Sequence, residues 1–303
     1  MYLTVVIVYR RIQEKHIASQ AKLAPVGRVF SEVLGYEVLV PDSPQRIVSF
    51  SPAATETLFL LGLGEKVAAV SAFCARPEAA RAKRRIGSYN SVRDDALAEL
   101  RPDLVLTVTG YQREFALRLS KKYPVYPLEL PVSVAGIVDF VNKVGLVTGA
   151  AEPARELAGS LLRRVGGLGR TSDLRSYVEI DLGGPVSFGS FSYITDAFRL
   201  LGSPQIYEKE RSEWLKPDLD WVAAQGPDVI VYEPKMYSSF SAGDVVSLLA
   251  SRGWEGLRAV GLGNVFVTPG PLDFLAHHGP SFITEALPWL EGRLKSAKER
   301  IGT

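Results

Sequence analysis

A single cysteine, Cys74, among 303 residues excludes an internal disulfide framework, so cysteine usage says nothing about compartment. Charge of one sign is missing as well. The 35 basic and 33 acidic residues leave a net charge of +2, too small to argue for nucleic acid as a partner. The locally basic run RPEAARAKRR, Arg76 to Arg85, reads as a solvated surface segment, with an anionic contact as the alternative. No apolar run approaches the roughly 18 residues of a membrane span. The opening MYLTVVIVYRR has only a short apolar stretch with its positive charges behind it. A secretory leader needs a basic start, a longer apolar centre and a small-residue cleavage site. As it stands the chain reads as soluble and unexported, a misplaced start or a lost leader being the alternative.

Familiar catalytic signatures are absent too. There is no G-x-x-x-x-G-K-[ST] loop, and the GLG triplets at 62–64 and 261–263 lack the third glycine of a dinucleotide fingerprint. No serine sits in a G-x-S-x-G elbow, no H-E-x-x-H occurs and no cysteine pair offers a zinc site. His277 and His278 are adjacent, which on a helix or strand points them in different directions and argues against a dedicated metal site. Nothing assembles into a catalytic constellation, so the chain reads as a non-enzyme.

What is present is ordinary globular composition, 47% apolar and 22% charged, on a chain longer than one core usually serves. Two echoes divide it. DDALAELRPDLVL (94–106) returns as DLDWVAAQGPDVIVY (218–232), with Asp220 and Pro227 lying 125 positions after Asp95 and Pro102. TETLFLLG (55–62) returns 140 positions later as TDAFRLLG (195–202). Strand patterns alternate with helical ones, the mark of an α/β fold with largely parallel sheets. Strands are expected near Arg46–Phe50, Val67–Val70, Leu104–Val108 and Val125–Leu128, then near Tyr177–Asp181, Val229–Tyr232 and Val265–Thr268. Helices of the second half are expected over Thr195–Leu201, Leu219–Gln225 and Val245–Ser251. Between the halves, Ile137, Phe140, Val141, Val144 and Leu146 keep helical spacing, and Leu157, Leu161 and Leu162 resume it after TGAAEP. A long helix or a helix pair, a stiff joint, is expected there, ended by GGLGR at 166–170. The reading is an N-terminal α/β lobe over 1–132 with its core from about 45, a linker helix region over 133–168 and a C-terminal α/β lobe over 169–303.

In open α/β sheets ligands bind beyond the carboxyl ends of strands, where turns enter helix N-termini. Ser51, followed by Pro52, is an N-cap candidate, and Ser190 or Ser192 takes the matching part in the second half. Such turns offer hydroxyls and N–H groups to a polar or anionic ligand, or else merely cap their helices.

The ordered series SPQRIVSFSPAATETLFLLGLGEKVAAVSAFCARP, IGSYN and LAELRPDLVLTVTG resembles the N-terminal lobe of ABC-transporter substrate-binding proteins for cobalamin and iron siderophores. The upstream FSEVLGYEVLVPD also resembles the approach of that family to its first strand, so the likeness runs from about Phe30 to the C-terminus. The resemblance implies two α/β lobes with largely parallel sheets joined by a rigid linker helix, and a monomer that captures a small molecule in an interlobe cleft. The implied ligand is cobalamin or another corrinoid, or a ferric siderophore, carried as cargo and not as a catalytic cofactor. The implied partner is a complex of ABC permease and ATPase. Tyr89, after IGS, and Trp214, before the second repeated helix, fall where the family places cleft aromatics; Phe73, Tyr111, Phe191 and Ser51 join them on strand-end turns, and His278 or His277 sits in the last loop before the C-terminal helix. Asp95 and Asp220 fall where the family docks carboxylates, usually Glu, onto permease arginines; an acid there also complements a helix dipole. The family is extracytoplasmic, whereas no leader or anchor cysteine shows near the start, so an unexported cobalamin- or metal-complex-binding protein on the same fold is the alternative. A cofactor-handling enzyme is a further alternative, for which Cys74 alone cannot ligate a metal cluster.

Overall fold

The computed structural model describes residues 26–170, 174–238 and 240–302, so the opening MYLTVVIVYRR and most of the first thirty residues lie outside the described residues. The chain divides into two units. The first comprises the described residues of Met1–Leu130 together with Val138–Ser160, and the second those of Pro131–Ile137 and Leu161–Thr303.

The first unit begins with an antiparallel hairpin, β1 (Val26–Ser31) and β2 (Tyr36–Pro41). Its main sheet follows: β3 (Ile47–Ser49), α1 (Pro52–Leu60), β4 (Val67–Ser71), β5 (Arg84–Gly87), α2 (Asp94–Leu100), β6 (Leu104–Val108), α3 (Arg113–Leu119) and β7 (Val125–Leu128). The strand order is β5-β4-β3-β6-β7 and every neighbouring pair is parallel. Parallel strands are covered on both faces, and β6 and β7 are buried at every position, as their unbroken apolar runs require. Val48, Phe50, Ile86, Leu97, Val105 and Phe115 share one core, in which Phe50 and Phe115 meet edge to face at 4.9 Å.

The expected linker region is two helices, α4 (Val134–Thr148) and α5 (Ala151–Gly166), interrupted at Gly149 and Ala150. The second unit then carries β8 (Ser176–Asp181), β9 (Pro185–Val186), α6 (Tyr193–Leu200), α7 (Leu219–Gln225), β10 (Val229–Glu233), α8 (Ala242–Ser251), α9 (Arg258–Gly261), β11 (Val265–Val267) and α10 (Leu287–Gly302). Its sheet order is β11-β10-β8-β9, parallel except at β9. Inside it Glu179 receives both Arg252 guanidinium nitrogens at 2.8 Å and the Tyr177 hydroxyl at 2.6 Å. Removing one partner of such a buried pair would strand the other charge.

Both sequence echoes have a packing reason. In the first, the helix ends on a left-handed residue, Arg101 at φ 44° or Gly226 at φ 55°, and the chain turns through Pro102 or Pro227 into Asp103 or Asp228. Each aspartate begins a strand by accepting the backbone N–H of the residue that precedes the neighbouring strand: Arg46 to Asp103 at 2.8 Å, Arg175 to Asp228 at 2.9 Å. The same arginines reach back to the helix end, Arg46 to the Arg101 carbonyl at 2.8 Å and Arg175 to the Gln225 carbonyl at 2.6 Å. In the second echo, buried Thr55 and Thr195 brace the strand-to-helix turn, donating to the Ser51 carbonyl at 3.0 Å and the Phe188 carbonyl at 3.2 Å. Both helices close on a glycine with positive φ, Gly62 at 75° and Gly202 at 77°, which only glycine adopts at no steric cost.

The hairpin, β5 and β9 are elements the sequence pattern does not mark. β5 starts on the last two residues of the run read as a basic surface segment: Arg84 and Arg85 are exposed, and Ile86, just beyond the run, turns into the core. Among the described residues no helix is long and apolar enough to cross a membrane.

Candidate functional site

In the first unit, the carboxyl ends of β5, β4, β3 and β6 line one edge of the sheet. Tyr89, Phe73 and Ser51 each lie two residues beyond the end of β5, β4 and β3, and Tyr111 three beyond β6. Four residues picked out in sequence order are therefore neighbours in strand order as well. Tyr111 is 64% exposed and Phe73 37%; Tyr89 is half-buried, its ring edge to face with Phe73 at 6.3 Å. Ser51 differs. It is fully buried, and its hydroxyl accepts the Ala54 N–H at 3.2 Å as the N-cap of α1.

Tyr89 rides a tight turn. The N–H of Ser88 donates to the Ser91 carbonyl at 2.9 Å, the two serine hydroxyls meet at 2.7 Å, and a Cβ on Gly87 would lie 2.1 Å from the Ser91 carbonyl oxygen. Beneath the turn lies Gln112, which sequence reasoning passed over because a polar residue after a surface tyrosine looks like solvent-facing loop. It is fully buried. Its Nε2 donates to the carbonyls of Phe50 at 2.8 Å and Tyr89 at 2.5 Å, while its Oε1 accepts the Val108 N–H at 2.7 Å.

In the second unit, Phe191 and Trp214 are 51% and 46% exposed on two loops zipped together by backbone hydrogen bonds. Ser187 and Leu215 exchange N–H···O bonds at 2.9 and 2.8 Å, and the Phe191 N–H donates to the Ser212 carbonyl at 3.1 Å. The loops run so close that a Cβ on Gly189 would fall 2.5 Å from the carbonyl oxygens of Glu210 and Ser212. Ser192 caps α6 by accepting the Ile194 N–H at 3.2 Å, whereas Ser190 donates to the Glu210 carbonyl at 2.8 Å. Beside Trp214, burial raises the pKa of the Glu213 carboxyl.

The two histidines sit elsewhere in character. His278 is 5% exposed, packed edge to face against Tyr193 at 6.1 Å, and burial pulls its pKa down to about 3, which keeps the ring neutral. The segment before it is tied to the end of β10: buried Glu233 accepts backbone N–H groups from Phe274 and Ala276 at 3.1 Å each and from Leu275, and the Tyr193 hydroxyl donates to the Leu275 carbonyl at 2.8 Å. Burial and the neighbouring Asp273 carboxylate push the Glu233 pKa up to about 7, against those three N–H groups. Among the described residues no group of three or more His, Cys, Asp or Glu side chains could hold a metal ion.

Asp95 and Asp220 are both the second residue of a seven-residue helix, α2 and α7, and both are exposed. Asp218, the N-cap of α7, accepts the N–H groups of Asp220 and Trp221 at 3.1 Å each.

Residues 47–272, spanning both sheets and the turns just described, match the family described as periplasmic binding protein. The chain belongs to that family. It is a family of binding proteins serving ABC importers, not of enzymes, and its members are periplasmic. This binding protein is 24% identical over 216 residues to a vitamin B12-binding protein of Yersinia pestis (strain Pestoides F), covering 69% of the chain and 77% of that relative. In fold it is similar to the periplasmic vitamin B12 binding protein of Vibrio cholerae, with a TM-score of 0.66 at 20% identity over 84% of this chain and 98% of the other. It is similar too to the periplasmic heme-binding protein RhuT of Roseiflexus sp. RS-1, with a TM-score of 0.69 at 19% identity over 84% and 99%. Those likenesses confirm the expected α/β fold with largely parallel sheets.

Proposed function

We propose that this binding protein captures a corrinoid such as cobalamin, or a heme- or ferric-siderophore-type ligand, and delivers it to the permease of an ABC importer. The observation that carries the reading is the run of Phe73, Tyr89 and Tyr111 along one carboxyl edge, with Phe191 and Trp214 exposed on the paired loops of the second unit. Aromatic faces suit a large flat macrocycle, gaining apolar contact without demanding a charge. In this reading Tyr89 and Trp214 are the principal ligand contacts, Ser51 and His278 hold the loops from within, and Asp95 and Asp220 meet the permease. The names of the relatives support the ligand class, one being a vitamin B12-binding protein and another a heme-binding protein.

Calorimetry of the purified protein against cyanocobalamin, cobinamide, heme and a panel of ferric siderophores tests it. The expected result is saturable 1:1 binding of one of them without turnover. No heat with any of them would refute the ligand class.

A further inference from the structure

The amide of Gln112 joins three separate strand ends of the aromatic edge. It lies in the short turn Gly110–Gln112 directly after the exposed Tyr111, at the end of β6. From there it bonds the Val108 backbone of its own strand, the Phe50 carbonyl after β3 and the Tyr89 carbonyl after β5. β5 is the edge strand, separated from β6 by β4 and β3, so the bond to Tyr89 brings that turn back over the strand ends. The serine pair inside the turn sets its internal shape but not where it lies.

The requirement is chemically narrow. The site presents two carbonyl acceptors and one N–H donor to a fully buried side chain, and a primary amide at that reach satisfies all three with its two hydrogens and one oxygen. A carboxylate of the same length offers no hydrogen to either carbonyl, and a thioether offers neither hydrogens nor a strong acceptor. We infer that Gln112 is the positioning residue of the ligand face: it holds the Tyr89 turn beside Tyr111, so the aromatic surface exists before ligand arrives and its ordering is not charged against binding. The inference deepens the ligand reading above and rests on it for the word "ligand". The placement of the turn does not depend on that reading.

The test uses the full chain with 3-fluorotyrosine at position 89, and at Tyr123, buried in the core of the first unit, as a control, read by fluorine NMR without ligand and by titration with cyanocobalamin and heme. Gln112→Met should shift or broaden the Tyr89 signal, leave the Tyr123 signal in place and weaken whichever probe binds by about tenfold. Gln112→Glu should lie closer to the parent, compared at the same pH, at about pH 5, where burial at this position leaves enough neutral acid to donate one hydrogen, than at about pH 8. A Tyr89 signal that coincides with the parent's in both variants overturns the inference, even if binding falls. A parent that binds neither probe, together with a displaced Tyr89 signal in the variants, sinks the cobalamin and heme part of the ligand reading and leaves Gln112 as the residue that sets the turn. Should both variants unfold, as the Tyr123 signal would report, the parent decides: Gln112 side-chain amide hydrogens that exchange as fast as those of a surface glutamine overturn the inference, and protected ones support it.

Discussion

At the scale of single residues, the exposed aromatics and the buried acids answer to different forces. Trp214 is 46% exposed and Tyr89 is half-buried on a turn whose backbone holds its own shape, so truncating either ring opens no core and, in the proposed reading, removes a ligand contact. Trp214→Ala and Tyr89→Ala are each expected to cost about 1–3 kcal/mol of binding free energy with unchanged melting behaviour, measured by calorimetry and thermal unfolding. Variants that bind like the parent would mean the ligand lies elsewhere. Glu233 behaves in the opposite sense. Its folded pKa is raised to about 7 from 4.5, so the folded state holds its proton more tightly than the unfolded chain does. The associated stability is fully present below the unfolded pKa and is lost as pH rises through the folded one. Urea unfolding of the parent should therefore weaken across that window by at most about 3 kcal/mol, and Glu233→Gln, which cannot titrate, should flatten the slope. Equal slopes in parent and variant would assign the pH dependence to other groups.

At the scale of elements, each copy of the repeated helix-Pro-Asp-strand unit contains two aspartates with separate duties. Asp103 and Asp228 are half-buried and hold backbone N–H groups at the start of adjacent strands, whereas Asp95 and Asp220 are exposed near helix N-termini. Asp103→Ala or Asp228→Ala should therefore destabilise the fold by about 1–3 kcal/mol, because the strand-start N–H loses a hydrogen bond to a charged acceptor. Asp95→Lys or Asp220→Lys should cost only about 0.3–1 kcal/mol, the scale of an unfavourable charge against the helix dipole. Chemical denaturation of the four variants separates the classes, and a reversed ranking would remove the structural reading of the Pro-Asp pair.

At the scale of the whole molecule, duplication matters more than any one contact. Each unit offers an exposed carboxylate at the same position of an equivalent helix, which in the proposed reading suits a permease built of two similar halves; a carboxylate facing arginine gains a charge-assisted bond. The combined Asp95→Lys and Asp220→Lys protein should keep its ligand affinity and lose most of its stimulation of the transporter ATPase, much of the loss being new like-charge repulsion. Full stimulation by that double variant, or loss of ligand binding instead, would leave the repeated spacing as a mark of duplicated architecture alone.

Local pattern by itself determined the parallel strands, the repeated helices and the caps. β6, β7 and α7 run over the residues their periodicity marks, and Ser51 caps α1 in front of Pro52, because apolar period and capping chemistry act within a few residues of one another. Phe73 and Tyr111 were also legible, as large rings placed just beyond expected strands, whereas Tyr89 was marked only by the family resemblance because β5 leaves no pattern. Tertiary structure alone decided the hairpin β1–β2 and strand β5, whose short segments become strands only by pairing, and the neighbourhoods of Gln112, Glu233 and His278. Gln112 meets Phe50 across 62 positions of chain, and Glu233 meets its loop across 41 to 43. A polar side chain becomes a buried clamp only when folding brings it donors and acceptors that its sequence neighbours cannot supply, and no periodicity records that encounter.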